Sequence, residues 1–352
     1  MKIITILGAR PQFIKSALIS NEIKHNKNLS EIIIHTGQHY DVNMSKVFFD
    51  QLSIPKPSYN LNINQKKHGE MVGEMLIELE RILIKEKPKG VLVYGDTNST
   101  LAGSLAASKL NIPLFHVESG LRSNNKSMPE EINRIITDQI SNLLFCPTKD
   151  SVKQLSEEGI QKGVIFSGDV MFDLFLKTIN KLDKINSDPF VFATIHRPEN
   201  TDNPTILNSI IKGIEKISKD KKVIFPLHPS TSKKIKDYKI KSTLNFISPL
   251  DYFQTIEYLI SADLVITDSG GLQKEAFFAK TKCITIRKET EWKELIKADV
   301  NLLCNKSKDD IWEQYQLINE KKCDFSLQLF GNGKAAKIIV KNIQEYLTND
   351  SN

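Results

Sequence analysis

The sequence predicts an α/β protein made of two Rossmann-like domains that face a cleft. Short apolar runs alternate with longer amphipathic stretches along both halves of the 352-residue chain, a rhythm typical of parallel strands joined by helices. A chain of this length is too long for one ordinary domain. The polar stretch 177–189 separates the halves. We therefore expect an N-terminal domain in 1–176, a C-terminal domain in 177–333 and a final helix in 334–352 that crosses back to the first domain.

The individual elements follow from this alternation. Predicted strands of the first half are 2–7, 31–35, 90–94, 114–116, 143–146 and 164–166. Predicted strands of the second half are 190–195, 222–226, 244–247, 264–267, 283–286 and 300–303. Helices are predicted over 12–24, 68–85, the small-residue stretch 101–110 and 334–347. In parallel sheets of this kind, ligands bind beyond the carboxyl ends of the strands.

Composition excludes several classes of protein. The content of 40% hydrophobic and 26% charged residues is that of a soluble globular protein, and no apolar run is long enough to cross a membrane. The apolar start is too short for a signal peptide, so we expect a cytoplasmic protein. The net charge of +6 comes from scattered lysines, which suits an anionic small molecule better than nucleic acid. The widely spaced Cys146, Cys283, Cys304 and Cys323 are expected to be reduced and structural, with no metal site.

Arginine is used sparingly. Only six of the 48 basic residues are arginine, and five of the six lie beside glycine, proline, histidine or carboxylate residues. These five are Arg10, Arg122, Arg134, Arg197 and Arg287. The guanidinium group is a planar fork of donors that matches phosphate and carboxylate oxygens, whereas lysine is a hydrated point charge. We therefore expect anion contacts here, against the plainer alternative of chance placement in a lysine-biased chain.

The first predicted strand ends in a glycine turn that leads into a helix. Its residues 8–15 do not form the GxGxxG dinucleotide fingerprint, which argues against a nicotinamide enzyme. A strand, a glycine turn and a helix start nevertheless present backbone N–H groups to an anion. Arg10 stands on this turn and Lys15 lies one helical turn further on. The alternative is an ordinary turn between a strand and a helix.

Carboxylates follow the next strands of the first half. Asp96 and Glu118 each come just after a predicted strand, and Glu130 and Glu131 open a helix that also carries Arg134. Carboxylates crowded at one sheet edge suit general acid–base chemistry. The alternatives are that Asp96 and Glu118 cap helices, and that Glu130 and Arg134 form a surface ion pair.

The second half offers a histidine and a glycine turn. His196 follows a strand and precedes an arginine, which supports a catalytic role and a structural role about equally; His228 is a weaker candidate. Ser269, Gly270 and Gly271 lie between a strand and a helix, where N–H groups and the helix dipole favour a phosphate. Glu275, further along that helix, could accept hydrogen bonds from ribose hydroxyls.

Taken together, these segments resemble the UDP-N-acetylglucosamine 2-epimerase family. The segments that carry the resemblance are Gly-Ala-Arg-Pro-Gln-Phe-Ile-Lys (8–15), Gly-Asp-Thr-Asn-Ser-Thr (95–100), His-Val-Glu-Ser-Gly-Leu-Arg (116–122), Pro-Glu-Glu-Ile-Asn-Arg (129–134), His-Arg-Pro-Glu-Asn (196–200) and Asp-Ser-Gly-Gly-Leu-Gln-Lys-Glu-Ala (268–276). They occur in the family's order and cover nearly the whole chain.

The resemblance implies a glycosyltransferase-B-like fold, a homodimer and reversible inversion at C2 of a UDP-linked 2-acetamido sugar. The family mechanism removes the C2 proton, expels UDP to give a glycal and adds UDP back, without a metal or nicotinamide cofactor. The implied substrate is UDP-N-acetylglucosamine, which would become UDP-N-acetylmannosamine. By motif position, Asp96, Glu118 and Glu130 are the implied acid–base residues, with Glu131 as the alternative to its neighbour. Arg134 is implied to orient a carboxylate or the leaving phosphate.

The same resemblance implies the nucleotide contacts. Arg10 and Lys15 are placed beside the pyrophosphate, and His196 near the diphosphate, where it could help UDP to leave. Ser269, Gly270 and Gly271 are implied to bind phosphate, and Glu275 to bind the ribose. Neither nucleic acid nor a membrane is implied as a partner.

Three segments depart from the commonest family pattern. Residues 37–44 lack the glutamine-rich form that helps bacterial members to bind an activating second UDP-sugar, Thr255 replaces an aromatic residue near the uracil, and Thr290-Glu291-Trp292 replaces a Thr-Glu-Arg pattern. These differences resemble members that act on UDP-2,3-diacetamido-2,3-dideoxy-glucuronate. A hydrolysing epimerase that releases free sugar, a glycosyltransferase and a non-enzymatic nucleotide-sugar sensor are the competing hypotheses.

Overall fold

The computed structural model describes residues 1–38, 55–185 and 188–349, and the chain divides into two compact units. The first unit comprises Met1–Leu174 and Gln328–Asn352, and the second comprises Phe175–Leu327. Each unit has a wholly parallel sheet with helices between its strands, which confirms the predicted α/β fold with two Rossmann-like halves. Within the described ranges, no helix combines the length and the apolar character that a membrane span needs.

The sheet of the first unit has seven strands in the order β3-β2-β1-β4-β5-β6-β7. Its elements are β1 (Lys2–Leu7), α1 (Arg10–His25), β2 (Ser30–His35), β3 (Tyr59–Asn60), α2 (His68–Glu86), β4 (Gly90–Tyr94), α3 (Asn98–Lys109), β5 (Leu114–Val117), α4 (Pro129–Ile140), β6 (Leu143–Cys146), α5 (Lys149–Glu157) and β7 (Val164–Phe166). Helix α6 (Val170–Ile179) begins in the first unit and ends in the second. The order of the first six strands is the Rossmann order. All five residues of β4 are buried because helices cover both faces of the sheet.

The sheet of the second unit repeats this order with six parallel strands, β10-β9-β8-β11-β12-β13. Its elements are β8 (Phe190–Thr194), α7 (Pro198–Thr201), α8 (Pro204–Ile217), β9 (Lys222–Pro226), α9 (Pro229–Asp237), β10 (Phe246–Ile247), α10 (Tyr252–Ser261), β11 (Leu264–Thr267), α11 (Gly270–Phe278), β12 (Lys282–Ile286), α12 (Lys293–Lys297), β13 (Asn301–Cys304) and α13 (Lys308–Glu320). Its core is an apolar cluster that includes Val191, Ile214 and Ile266.

The last helix, α14 (Ala335–Asn349), belongs to the first unit. Gln344 on this helix accepts a hydrogen bond from Asn26, and the Tyr346 ring meets the Phe115 ring edge-on. The Asp173 carboxylate accepts a hydrogen bond of 2.9 Å from the Ala336 amide. The chain therefore returns to the sheet on which it began.

Local signals explain most element boundaries. Helix α3 begins at Asn98, three residues before its predicted start, because the Thr97 hydroxyl caps it by accepting from the Thr100 amide. The predicted strand 244–247 is shortened to Phe246–Ile247, and the two-residue β3 was not predicted at all.

All four cysteines are free, and burial raises the pKa of the Cys146 and Cys283 thiols to about 12, which keeps them protonated and unreactive.

Glu31 on β2 makes the stability of the first unit depend on pH. Burial raises the pKa of the Glu31 carboxyl above its ordinary value of 4.5, and a hydrogen bond from the Thr5 hydroxyl offsets only part of this. The folded protein thus holds this proton more tightly than the unfolded chain. The resulting stabilisation is complete below pH 4.5 and is lost as the pH rises through the folded-state pKa.

We therefore expect the free energy of unfolding of the native protein to fall, relative to that of Glu31→Gln, as the pH rises from 4.5. The neutral amide keeps an acceptor for Thr5 but has no proton to lose. Urea unfolding at stepped pH values measures the difference. Glu80→Gln, at an exposed position of α2, is the control and should run parallel to the native protein. Parallel curves for Glu31→Gln as well would contradict the prediction.

Candidate functional site

The carboxyl ends of two neighbouring strands bring charged side chains together in the first unit. Strands β4 and β5 pair in parallel, with Tyr94 opposite Val117. Asp96 lies two residues after β4 and Glu118 directly after β5. The structure therefore places both at one edge of the sheet, where each is paired with a cation. We call Asp96, Glu118 and their cations Arg134 and Lys15 the carboxylate edge.

Glu118 forms an ion pair with Lys15. The Lys15 ammonium donates to the Glu118 carboxylate, and each side chain is 12% exposed. Glu118 has a φ of +72°, a left-handed conformation that costs a residue other than glycine about 1–3 kcal/mol. The pair lies against Gly95, where an added Cβ would come within 3.2 Å of the Glu118 carboxylate and 3.5 Å of the Lys15 ammonium. The glycine therefore leaves room for the ion pair.

Asp96 is held by helix α4. The Arg134 guanidinium donates to the Asp96 carboxylate through Nη2. The neighbouring Asn133 donates through Nδ2 to the Asp96 carbonyl oxygen at 2.8 Å. Both the backbone and the side chain of Asp96 are thus fixed by one turn of α4, while the carboxylate stays partly exposed.

Glu130 and Glu131 have different surroundings. Glu130 is exposed, whereas Glu131 is 1% exposed and accepts hydrogen bonds from the Ser123 and Asn124 amides at 2.9 and 2.8 Å and from Arg134 at 3.0 Å. Burial raises the pKa of the Glu131 carboxyl, but these donors together lower it below its ordinary value. Glu131 is therefore ionised, and its hydrogen bonds connect α4 to the preceding loop.

A buried ionic network lies behind the carboxylate edge, and sequence reasoning missed two of its members, His116 and Asp138. Nδ1 of His116 is 2.7 Å from the Asp138 carboxylate, which also accepts from Arg122 at 2.7 Å. Arg122 donates two further bonds of 2.8 Å to Glu158. Burial raises the pKa of the Asp138 carboxyl, but His116 and Arg122 together lower it below its ordinary value. The sequence contains both residues but no signal that joins them.

The turn between β1 and α1 differs from the expectation. The Gly8 and Ala9 amides, which we expected to face an anion, donate to Oε1 of Gln12 at 2.8 and 3.0 Å. The same side chain donates through Nε2 to the Tyr94 carbonyl oxygen at 2.8 Å. Gln12 therefore ties this turn to the end of β4. Arg10 is the first residue of α1, and its predicted side-chain contact lies outside what the structure describes.

In the second unit, strands β8 and β11 are neighbours and their carboxyl ends meet at one edge. The fully buried Asp268 follows β11 and accepts from the amides of His196 and Arg197 at 3.0 and 2.9 Å and from Asn200 at 3.0 Å. Nδ1 of His196 lies 3.3 Å from Asp268, and the imidazole is 40% exposed. Asp268 therefore fixes the loop that presents His196.

The start of helix α11 is lined by glycine, arginine and a carboxylate. Ser269 caps the helix, its hydroxyl accepting from the Leu272 amide. An added Cβ at Gly270 would clash with Oε1 of Glu291, whereas one at Gly271 would meet no atom of the described residues within 4 Å. Glu291 in turn accepts a hydrogen bond of 2.9 Å from the buried Arg287. The predicted close approach at Gly270 is thus made by a side chain of this protein. We call His196, Asp268, Ser269, Gly270 and Gly271 the glycine edge.

The remaining predicted positions lie near or outside these edges. Glu275 is buried on α11, and the side chain of Gln273 on the same helix accepts from Thr290 at 2.8 Å, which ties α11 to the loop that carries Glu291. Thr255 lies on α10 and donates to a carbonyl oxygen at the start of its own helix. In the segment 37–44, Gln38 accepts from the Ser99 amide at 3.0 Å, and 39–44 lie outside the described residues.

The two edges offer different chemistry. The carboxylate edge holds partly exposed carboxylates beside cations, an arrangement that can accept and return protons. The glycine edge holds a helix start, a histidine and the nearby Arg197, whose Nη2 lies 3.8 Å from an added Cβ at Gly270. Such a place favours an anion.

The chain is similar along nearly its whole length to one family of enzymes. The family model described as UDP-N-acetylglucosamine 2-epimerase matches residues 21–344. A UDP-2,3-diacetamido-2,3-dideoxy-D-glucuronate 2-epimerase from Pseudomonas aeruginosa is 48% identical over 355 residues, which cover 99% of this chain and 99% of that protein. A UDP-N-acetylglucosamine 2-epimerase from Methanocaldococcus jannaschii is 42% identical over 361 residues, which cover 97% of this chain and 98% of that protein.

The fold gives the same result. The crystal structure of Methanocaldococcus jannaschii UDP-GlcNAc 2-epimerase in complex with UDP-GlcNAc and UDP matches this chain with a TM-score of 0.91 at 40% identity. The match covers 98% of this chain and 100% of that chain. By the family model and by these relatives, the chain belongs to the UDP-N-acetylglucosamine 2-epimerase family.

Proposed function

We propose that this protein is an isomerase that reversibly inverts C2 of a UDP-linked 2-acetamido sugar, converting UDP-N-acetylglucosamine to UDP-N-acetylmannosamine. The observation that carries the proposal is the carboxylate edge, where Asp96 and Glu118 lie beside Arg134 and Lys15. Relatives that match 97% or more of this chain bear the names of 2-epimerases, which supports the same reaction type.

The proposed reaction is an anti elimination followed by re-addition. A base removes the C2 proton, the electron pair of that bond forms the C1–C2 double bond, and the C1–oxygen bond breaks to release UDP. UDP then adds back to C1 of the 2-acetamidoglucal while an acid protonates C2 on the opposite face. The sequence of steps is redox-neutral and needs no nicotinamide; we propose that it uses no metal either.

We assign the proton transfers to the carboxylate edge and the exposed Glu130. Asp96, Glu118 and Glu130 are the candidate acids and bases, because their carboxylates keep some exposure, whereas Glu131 is saturated with donors. Arg134 orients Asp96, and Glu131 holds Arg134 from the other side. The Lys15 ammonium holds the Glu118 carboxylate in place through their ion pair.

We assign the nucleotide to the glycine edge. Ser269, Gly270 and Gly271 start α11, where backbone N–H groups and the helix dipole favour the diphosphate. His196 is the group that assists the departure of UDP, and Glu275 is the partner of the ribose. Arg10 and Lys15 complete the proposed pyrophosphate contacts. The family resemblance further supports a homodimer that works in the cytoplasm, and neither nucleic acid nor a membrane is a proposed partner.

A second candidate substrate is UDP-2,3-diacetamido-2,3-dideoxy-glucuronate. The relative from Pseudomonas aeruginosa that is named for this sugar is 48% identical, against 42% for the relative from Methanocaldococcus jannaschii named for UDP-N-acetylglucosamine. Trp292, which stands in place of the family's arginine, is buried and packs over the Lys274 ammonium at 4.5 Å from the ring centroid. A changed wall beside Glu291 is consistent with a changed sugar.

Incubation in deuterated water with each UDP-sugar tests the reaction and the substrate together. We expect deuterium at C2 of a sugar that is still linked to UDP, since the C2 proton is exchanged during each inversion. Mass spectrometry and proton NMR follow the label, and the sugar with the higher kcat/KM is the substrate. Release of free sugar would instead indicate a hydrolysing epimerase, and no exchange with any UDP-sugar would refute the proposal.

Removal of the proposed acid, base or leaving-group residues should slow turnover. We expect Asp96→Asn, Glu118→Gln and His196→Ala each to lower kcat by about 10²–10⁴-fold, the range typical of lost acid–base groups. Steady-state kinetics with the preferred UDP-sugar measures the effect, and Glu80→Gln on the exposed side of α2 serves as the control. Near-native rates for all three variants would overturn the assignment.

Glu130 and Glu131 are adjacent in sequence but differ in burial, so the same substitution at each position tests two different roles. We expect Glu130→Gln to lower kcat while the melting temperature stays the same, because its carboxylate is exposed. Glu131→Gln should lower the free energy of unfolding by about 1.5–3 kcal/mol, the range for a hydrogen bond to a charged group. Thermal melts and kinetics on both variants separate the two roles. The reverse pattern would exchange our assignments of the two residues.

A further inference from the structure

The buried imidazole of His116 has an acceptor at each of its nitrogens. Nε2 lies 2.8 Å from the carbonyl oxygen of Gly95, and Nδ1 lies 2.7 Å from a carboxylate oxygen of Asp138. The ring is fully buried. A carbonyl oxygen can only accept, so Nε2 carries a proton.

Asp138 cannot supply the proton of the other contact. Its second oxygen accepts from the Gly120 amide at 3.1 Å and from Arg122 at 2.7 Å. Because two donors already point at Oδ2, the proton of the contact between Oδ1 and Nδ1 is assigned to the ring, and Asp138 is a carboxylate. Nδ1 of His116 must therefore donate as well. An imidazole with both nitrogens protonated is a cation.

The charges of the network support this conclusion. Arg122 and Glu158 form a bidentate pair, which leaves the fully buried Asp138 carboxylate facing the guanidinium on one side and the His116 ring on the other. With a cationic ring, the two cations balance the two carboxylates. With a neutral ring, the network would keep an uncompensated negative charge, and one ring nitrogen would meet an acceptor lone pair to lone pair. A buried uncompensated charge and a buried contact between two acceptors each raise the free energy of the folded protein.

The Nε2 contact connects this network to the carboxylate edge. The Gly95 carbonyl belongs to the peptide group that leads into Asp96. Gly95 has a φ of +61°, and its amide donates to the Val117 carbonyl at 2.9 Å, so both of its peptide groups are held. On the far side of Asp96, Asn133 and Arg134 hold the carbonyl and the carboxylate.

We propose that His116, as a buried imidazolium, is a positioning residue that fixes the peptide between Gly95 and Asp96 and thereby aims the Asp96 carboxylate at the sugar. Only the expected effect on turnover rests on the proposed epimerisation. The charge state of the ring is a property of the folded protein and is tested without any substrate.

The first experiment measures the protonation state of the two ring nitrogens of His116. The full-length protein, labelled with ¹⁵N-histidine, is studied by NMR at neutral pH, and the signals of His116 are assigned by their loss in His116→Gln. We expect both ring nitrogens to show the shifts of protonated nitrogens. A shift typical of an unprotonated ring nitrogen at either position would overturn the imidazolium.

The second experiment separates the two contacts of the ring. In His116→Asn the shorter amide side chain reaches the place of Nδ1, whereas in His116→Gln the longer amide side chain reaches the place of Nε2. We expect His116→Asn, which loses the contact with Gly95, to lower kcat by about 10²-fold at nearly unchanged KM, the loss typical of a small misplacement of a catalytic group. His116→Gln should restore part of the rate.

Glu158→Gln is the matched control, because Glu158 belongs to the same network but contacts Arg122 rather than His116. It should lose stability and keep kcat. Equal rates for His116→Asn and His116→Gln, or native rates for both, would overturn the positioning role in an active enzyme. A native protein that is inactive with every UDP-sugar would instead refute the proposed function and leave the NMR result to decide the charge of His116.

Discussion

Parallel pairing of neighbouring strands is the constraint on which both edges depend. Because β4 and β5 run in the same direction, the turns that follow them emerge side by side, and Asp96 and Glu118 lie at the same edge of the sheet. The same rule joins β8 to β11, with Thr194 opposite Thr267, and brings the backbone of His196 onto the carboxylate of Asp268. The residues of neighbouring turns need not be close to one another in sequence, because strand pairing brings the turns together.

Buried carboxylates hold the turns that the sheet brings together. Glu131, Asp138 and Asp268 are saturated with amide, guanidinium or imidazole donors and are almost wholly buried. Hydrogen bonds to charged groups contribute about 1.5–3 kcal/mol each, and an unpaired partner left in a buried place costs more. Glu131 and Asp138 are poor proton carriers, because their donors lower the pKa of each carboxyl below its ordinary value. For this reason we propose the partly exposed Asp96, Glu118 and Glu130 for acid–base chemistry, and the buried carboxylates for holding the surrounding loops in place.

The sequence predicted the fold well and part of the arrangement of the candidate site, for physical reasons. Apolar runs bounded by turn residues located the long buried strands, but β3 consists only of Tyr59 and Asn60 and has no such run. A helix start with two glutamates predicted a site residue without distinguishing Glu130 from Glu131, because their burial depends on the loop that folds over α4. The contact of His116 with Asp138 and the hydrogen bond from Gln12 to the Tyr94 carbonyl oxygen join residues that are far apart along the chain. No local sequence pattern reveals such contacts.

At the start of α11, the structure places a carboxylate of the protein close to the glycine where the sequence predicted a bound phosphate. Two glycines after a strand predicted that an anion approaches the backbone closely, and at Gly270 that anion is the carboxylate of Glu291, backed by Arg287. The helix dipole at this position favours a carboxylate for the same reason that it favours a phosphate. At Gly271, by contrast, no atom of the described residues lies within 4 Å of an added Cβ. In the complex that we propose, Glu291 would be a neighbour of the diphosphate, and the cations Arg197 and Arg287 would offset the repulsion between the two anions.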